Sequence, residues 1–179
     1  MVTGPGTCGS IVPSIGRSSP ASARNSVLLP APLGPSTASV WRCRSSSDST
    51  RNSKALAAGL RERGFDLVSG GTDNHLAVID MTQKKVFGRK TAQALNKAGI
   101  VANYNTIPFD PRRPFNPSGV RIGTPSVTSR GMREPEMDRI AAYFDTVVAS
   151  VDDEEKLAAL AREVAEFCKP FAAPGLPFE

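Results

Sequence analysis

Between Gly119 and Gly123 the chain has room for a strand only a few residues long, and it places a charge in the middle of that strand. The stretch Ser118-Gly119-Val120-Arg121-Ile122-Gly123-Thr124-Pro125 is a short β-prone run with turn residues at both ends. Successive side chains of a strand point to opposite faces, so Arg121 points away from the side taken by Val120 and Ile122. A guanidinium is planar and always charged, and its fork can hold a carboxylate by two parallel hydrogen bonds. Gly119, Gly123 and Pro125 make a tightly shaped support around it. That favours a placed ligand-binding group over an ordinary solvated charge.

The rest of the chain divides by composition. Residues 1–50 are rich in Ser, Pro, Gly, Ala and Arg and show no apolar period of 2 or 3.6. Such a segment cannot bury enough apolar surface to offset its conformational entropy, so a disordered leader is expected there. It superficially resembles an organelle transit peptide, but Pro13, Pro20, Pro30, Pro32 and Pro35 oppose the amphipathic helix such peptides form. A leader unrelated to the domain is the expected reading. Its charge is +3, from Arg17, Arg24, Arg42 and Arg44 against Asp48, whereas residues 51–179 carry 18 basic and 16 acidic side chains. The basic balance thus belongs mostly to the leader, and no nucleic-acid footprint is expected in the remainder.

The cysteines, Cys8, Cys43 and Cys168, are widely spaced and include no CxxC pair, so neither a disulfide framework nor a zinc site is indicated. No apolar run approaches the roughly 18 residues that span a bilayer. A cytoplasmic protein without membrane contact is expected.

Organisation begins near Thr50. Asn52–Arg63 reads as a helix stopped by Gly64, and Arg89–Ala98 as a second, stopped by Gly99. Strand candidates are Phe65–Val68, Leu76–Asp80, Ile100–Asn103 and Val120–Gly123. A Pro-rich loop runs from Pro108 to Pro117. Met137, Ile140, Ala141, Phe144, Val147, Val148 and Val151 recur at three- and four-residue steps, giving one apolar helical stripe with Pro135 in its first turn. Asp152 or Asp153 can cap a last helix that buries Leu157, Leu160, Ala161, Val164 and Phe167. The expected fold class is α/β, an α+β-like small domain over residues 51–168, with residues 169–179 a Pro-rich tail.

Two further motifs carry candidate chemistry. In Gly70-Gly71-Thr72-Asp73-Asn74-His75-Leu76, Asp73 and Asn74 can satisfy turn backbone by local hydrogen bonds. His75 is the only histidine. No serine or cysteine is placed as a nucleophile beside it, and no second metal ligand has suitable spacing, so the motif reads mainly as a turn that sets sheet register. In Asn103-Tyr104-Asn105-Thr106-Ile107-Pro108, a strand-end amide can donate and accept, which suits an amide-bearing or heterocyclic ligand. An ordinary Asn turn into the Pro-rich loop fits those residues equally well.

Taken together, Leu67–Leu76, Asn103–Pro108 with Asp110-Pro111 and Pro114-Phe115, and Ser118–Pro125 continuing through Thr128-Ser129-Arg130-Gly131 resemble the C-terminal domain of serine hydroxymethyltransferase. Several ordered blocks at consistent spacing are more specific than one short motif. The resemblance covers about residues 50–168. It implies the C-terminal domain of a fold-type I pyridoxal-phosphate-dependent transferase, with a small mixed or antiparallel sheet covered by helices. The family reaction it implies transfers a one-carbon unit between serine and tetrahydrofolate, giving glycine, with pyridoxal phosphate as electron sink. Arg121 would bind the substrate carboxylate, and Asn105 would contact the folate pterin or its formyl derivative. No catalytic, cofactor-binding or metal-binding residue is assigned in this chain.

Tyr104 stands where a lysine is common, Ser126 where alanine is usual, and Met132 at a frequent aromatic position. A larger departure concerns the Schiff-base lysine, which in the family lies in a threonine-rich His-Lys block. Lys54, Lys84, Lys85, Lys90, Lys97, Lys156 and Lys169 have no such context. The resemblance therefore implies a truncated enzyme, inactive alone and lacking its large domain. Partners implied are serine or glycine, tetrahydrofolate, and a homo-oligomer or the missing large domain. The alternative is an interaction partner of an intact homologue.

Overall fold

The computed structural model describes residues 46–173. The elements in chain order are α1 (Ser46–Glu62), β1 (Asp66–Leu67), β2 (Leu76–Asp80), α2 (Gly88–Lys97), β3 (Asn103–Asn105), β4 (Gly119–Gly123), α3 (Pro125–Ser129), α4 (Glu134–Ala149) and α5 (Glu154–Cys168). Among the described residues the strands form one sheet in the order β1-β2-β4-β3, antiparallel throughout. The result is a small mixed helix-and-strand domain. Residues 1–45 of the expected leader and 174–179 of the expected tail lie outside the described residues.

Helix α1 begins at Ser46, six residues before its expected start. Its first turns bury Ser49, Asn52 and Ser53, which an apolar-period reading discounts. Ser49 and Asn52 are bonded there, Ser49 to Thr124. The Asn52 amide donates to Thr128 Oγ1 at 2.8 Å and to the Met132 carbonyl at 3.0 Å. Asp48 in the first turn complements the positive end of the helix dipole and pairs with Arg51. The expected stop at Gly64 is present. Gly64 has φ +73° and donates to the Arg61 carbonyl, while Phe65 N donates to the Leu60 carbonyl; this double bond pattern satisfies the last carbonyls of the helix. Gly99 ends α2 in the same way.

Two strands differ from their expected spans. β1 shrinks to Asp66–Leu67, because the Phe65 amide is committed to the helix cap and Gly70 N turns back to the Leu67 carbonyl. β3 moves from Ile100–Asn103 to Asn103–Asn105. Ile100 N donates to the Leu95 carbonyl as part of the α2 stop, and Val101 is 84% exposed, so the apolar pair belongs to the exit from the helix. β2 spans the expected Leu76–Asp80, and β4 gains Gly119. Where the sequence predicts a turn at Gly123 and Pro125, a further helix, α3, begins: Pro125 starts a single turn and a half.

The core lies on the Val120 face of the sheet. Ile79 and Val120 are paired across β2 and β4 and are fully buried. Leu56, Ala57 and Leu60 of α1 pack there with Met137, Ala141, Phe144 and Val147 of α4. Phe65 meets Phe144 edge-on, with ring centroids 5.2 Å apart. The α1–α4 crossing is tight: a Cβ at Gly59 would stand 3.1 Å from Ala141 Cβ. Arg63 closes that crossing with a 2.9 Å bond to Asp138. Leu157, Leu160 and Val164 bury the inner face of α5, with Ala161 and Phe167 half-buried. Asp153, not Asp152, caps this helix, accepting from Lys156 N at 3.0 Å. That bond first, and then the Lys156 side chain, holds the Asp153 carboxyl below the usual range. Asp152 instead pairs with Lys90 at 2.5 Å. No helix among the described residues is long and apolar enough to cross a membrane.

Candidate functional site

Because the helices cover the Val120 face, Arg121 emerges on the opposite, open face of the sheet. It sits at the centre of β4, paired with Val78 of β2 on one side and Asn103 of β3 on the other. Leu76, Val78 and Asp80 on the same face are half-buried, and Arg121 itself is exposed. Its guanidinium makes no hydrogen bond or ion pair with any described residue. The expected alternation therefore holds.

Arg121 lines a shallow hollow of about 340 Å³ together with His75, Leu76, Val101, Ala102, Asn103, Ile122 and Gly123. No acidic side chain is among them, so the fixed charge of the hollow is positive. One buried hydroxyl ties its frame together. Thr124 N donates to the His75 carbonyl at 3.0 Å, joining the start of β2 to the end of β4. Thr124 Oγ1 donates to the Ser49 carbonyl at 2.7 Å and lies 3.0 Å from Ser49 Oγ. The first turn of α1, β2 and β4 thus meet at Thr124, which is fully buried. Neither Thr124 nor Ser49 was singled out from the sequence, and no local pattern marks two hydroxyls 75 positions apart as partners.

The Gly70–Leu76 motif is a closed turn, as expected. Thr72 Oγ1 accepts from Asn74 N at 3.2 Å and donates to the Leu76 carbonyl at 2.6 Å. Asn74 Oδ1 accepts from Leu76 N at 2.9 Å. Asp73 pairs with Lys54 at 3.2 Å in the open. These bonds fix where β2 starts, and hence the register that sets Val78 opposite Arg121. His75 contributes its carbonyl to this frame; its ring is exposed at the rim and has no hydroxyl or thiol partner. Among the described residues no group of His, Cys, Asp and Glu could hold a metal ion.

Asn105 shares the face of Arg121, two residues along β3, where it pairs with Gly119. The backbones leave no room for a side chain on Gly119 at that pair. A Cβ on Gly119 would stand 2.6 Å from the Asn105 carbonyl oxygen and 2.7 Å from Ile107 Cγ2. The Asn105 amide donates to the Thr106 carbonyl at 2.8 Å, and the residue does not line the hollow. Asn103, which the sequence left within the motif without a role, does line it.

The Pro-rich loop between β3 and β4 is gathered onto Asp110. Its carboxylate accepts from Ser118 N at 3.0 Å, Ser118 Oγ at 2.8 Å, Arg112 N at 3.0 Å and Ile107 N at 3.3 Å. Partial burial acts to raise its pKa, but the bonds from Ser118, Arg112 and Ile107 together outweigh it, leaving the carboxyl below its ordinary range. Asp before Pro is a turn signal, so this loop anchor was discoverable. Around it, Phe109 and Phe115 are exposed, Phe109 at a φ of +56°.

No lysine lines the Arg121 hollow. Lys54, Lys90, Lys97, Lys156 and Lys169 are in surface ion pairs with Asp73, Asp152, Glu154, Asp153 and Glu166. Lys84 donates to the Arg63 carbonyl at 2.9 Å and lies over the Phe65 ring, and Lys85 is in the turn before α2. The hollow can therefore hold a small planar anion, and it contains no nucleophile paired with a base.

Comparison with known proteins agrees with the blocks that carry this site. The family model described as serine hydroxymethyltransferase matches residues 33–144. A serine hydroxymethyltransferase of Sorangium cellulosum (strain So ce56) is 61% identical over 125 residues, covering 70% of this chain and 30% of the relative. One of Acidothermus cellulolyticus is 58% identical over 131 residues, covering 70% of this chain and 31% of the relative. Serine hydroxymethyltransferase 2 of Mesorhizobium japonicum is 48% identical over 126 residues, covering 70% of this chain and 29% of the relative. The chain spans about three-tenths of the length of the curated relatives it matches.

Proposed function

The chain belongs to the serine hydroxymethyltransferase family, and from that we propose that its described domain anchors the amino-acid substrate in the transfer of a one-carbon unit between serine and tetrahydrofolate, giving glycine. In this reading the domain is the C-terminal domain of a fold-type I pyridoxal-phosphate enzyme. Arg121 grips the carboxylate of serine or glycine with both arms of its fork. Asn105 contacts the pterin of folate or its formyl derivative from the same face of the sheet. The observation that carries the reading is the exposed, unpartnered Arg121 guanidinium at the centre of the sheet, in a hollow free of acids.

When bound, pyridoxal phosphate supplies the electron sink for this chemistry. The described residues do not fit that group as a complete site. It needs an amine for its covalent anchor, and the lysines of this chain are on turns and helix surfaces away from the hollow. We therefore assign the anchoring amine and the phosphate cradle to polypeptide outside these 179 residues, and to this chain only the holding and orienting of the substrate carboxylate. The purified chain mixed with pyridoxal phosphate and serine is expected to give no borohydride-sensitive absorbance band and no glycine. Turnover by the chain alone would overturn this division of labour.

A second reading, association with an intact homologue, is favoured by the apolar side chains left in the open. Val101 is 84%, Phe109 103% and Phe115 61% exposed, and such residues commonly mark a surface that another polypeptide covers. Co-purification with a full-length family member supports this reading; a clean monomer in its presence counts against it.

A further inference from the structure

Resting on the carboxylate reading of Arg121, we infer that Asn103 is a second substrate-binding residue, supplying the donor that completes the carboxylate site. The register of β3 and β4 sets Asn103 directly opposite Arg121. Directly opposed residues in an antiparallel pair point to the same face with Cβ atoms about 4.5–5.5 Å apart. Both side chains are exposed, both line the same hollow, and neither makes a hydrogen bond with any described residue. Asn105 differs in each respect that matters: it pairs with Gly119, stands outside the hollow, and its amide already donates to the Thr106 carbonyl at 2.8 Å.

The chemistry of the pair is complementary. An ionised carboxylate has two oxygens and accepts about four hydrogen bonds, of which a guanidinium fork fills two. The Asn103 Nδ2 group can donate a third, to the oxygen nearer β3. Its Oδ1 can at the same time accept a guanidinium N–H left outside the fork, which holds the plane of Arg121 toward the ligand. An aspartate could not do this, because it would neutralise Arg121 and repel the substrate. An aliphatic residue would leave the third lone pair to water. Both groups stand on paired strands rather than on loops, which fixes their spacing. The hollow keeps a single fixed positive charge, matched to one carboxylate.

The test is a titration of the full 179-residue chain with glycine, followed by the backbone amide NMR resonances of Ile122 and Gly123, which line the hollow in every variant, with glycine methyl ester as a carboxylate-free control. The wild-type chain is expected to show a saturable shift with glycine and none with the ester, and Arg121→Ala is expected to abolish binding. Asn103→Ala should weaken glycine binding about tenfold, the lower end for a hydrogen bond to a charged group. Asn103→Ser, which keeps a donor, should recover part of that loss, and Asn103→Asp should remove binding. Backbone amide spectra of each variant report whether the sheet is intact, and Asn103→Val, which suits a strand and carries no donor, stands in if the alanine variant unfolds. Glycine affinity within twofold of wild type in folded Asn103→Ala or Asn103→Val, alongside a silent Arg121→Ala, overturns the role of Asn103 and leaves that of Arg121 standing. Binding retained by Asn103→Asp overturns it as well. No glycine response in the wild-type chain overturns the carboxylate reading itself, and the role of Asn103 with it.

Discussion

Two polar stretches of this domain use their side chains in opposite ways. From Thr72 to Leu76 the chain is full of groups that do chemistry elsewhere, yet most are spent on the frame: Thr72 bonds Asn74 and Leu76, Asn74 bonds Leu76, Asp73 pairs with Lys54, and the His75 carbonyl accepts from Thr124. Across the sheet, Arg121 and Asn103 face each other with no partner among the described residues. The turn and the Thr124 staple position the strands; the open face keeps its donors available. Reactive residue types are therefore a poor guide to a site unless their hydrogen bonds are accounted for.

Mutations that strike the frame and those that strike the open face should separate cleanly. The largest loss is expected for Gly119→Val. Its side chain would enter space held by the Asn105 carbonyl oxygen and Ile107 Cγ2, and backbone cannot yield there as a flexible side chain would. A destabilisation of about 3 kcal/mol in urea melts is expected, with β3 displaced from β4. A near-wild-type midpoint would show that the β3–β4 register does not depend on that close approach.

Thr124→Val comes next. It keeps the shape but removes the hydroxyl, leaving the buried Ser49 hydroxyl without its partner, for an expected loss of about 2 kcal/mol. Loss of amide-exchange protection confined to the first turn of α1 and the ends of β2 and β4 would sharpen the idea of a staple. A uniform loss across the domain would break it.

Asp110 gives a smaller effect with a pH signature. Its folded pKa is depressed, so its contribution is fully present above the unfolded carboxylate value of about 3.9 and disappears as pH falls through the lower folded value. Asp110→Asn should cost about 1 kcal/mol at neutral pH. The gap between wild type and variant should close on acidification below pH about 4. A gap that persists in acid would mean the carboxylate charge is not what gathers the loop.

Arg121→Ala should barely change stability, within about 0.5 kcal/mol, because the guanidinium has no partner to lose. Glycine binding should nevertheless vanish. A large drop in thermal midpoint would place Arg121 with the frame and erase the contrast between the two regions.

The local pieces of this fold were readable in the chain. Gly64 and Gly99 stop helices, the apolar stripe from Met137 to Val148 marks α4, and Leu76–Asp80 is a strand, because each depends on interactions over a few residues. Arg121 was legible too, since alternation in a strand sends it away from Val120 and Ile122. The misplacements have one cause. The start of α1 and the position of β3 are set by partners far along the chain, Thr124 and Thr128 for the helix and Arg121 for the strand.

Primary structure thus dictated the kind of elements, where most of them stop, and the family to which they belong. Folding settled which polar groups are consumed and which stay free. Hydrogen-bond satisfaction is a property of pairs brought together in space, and Ser49 with Thr124, or Asn103 with Arg121, become neighbours only once the sheet has formed.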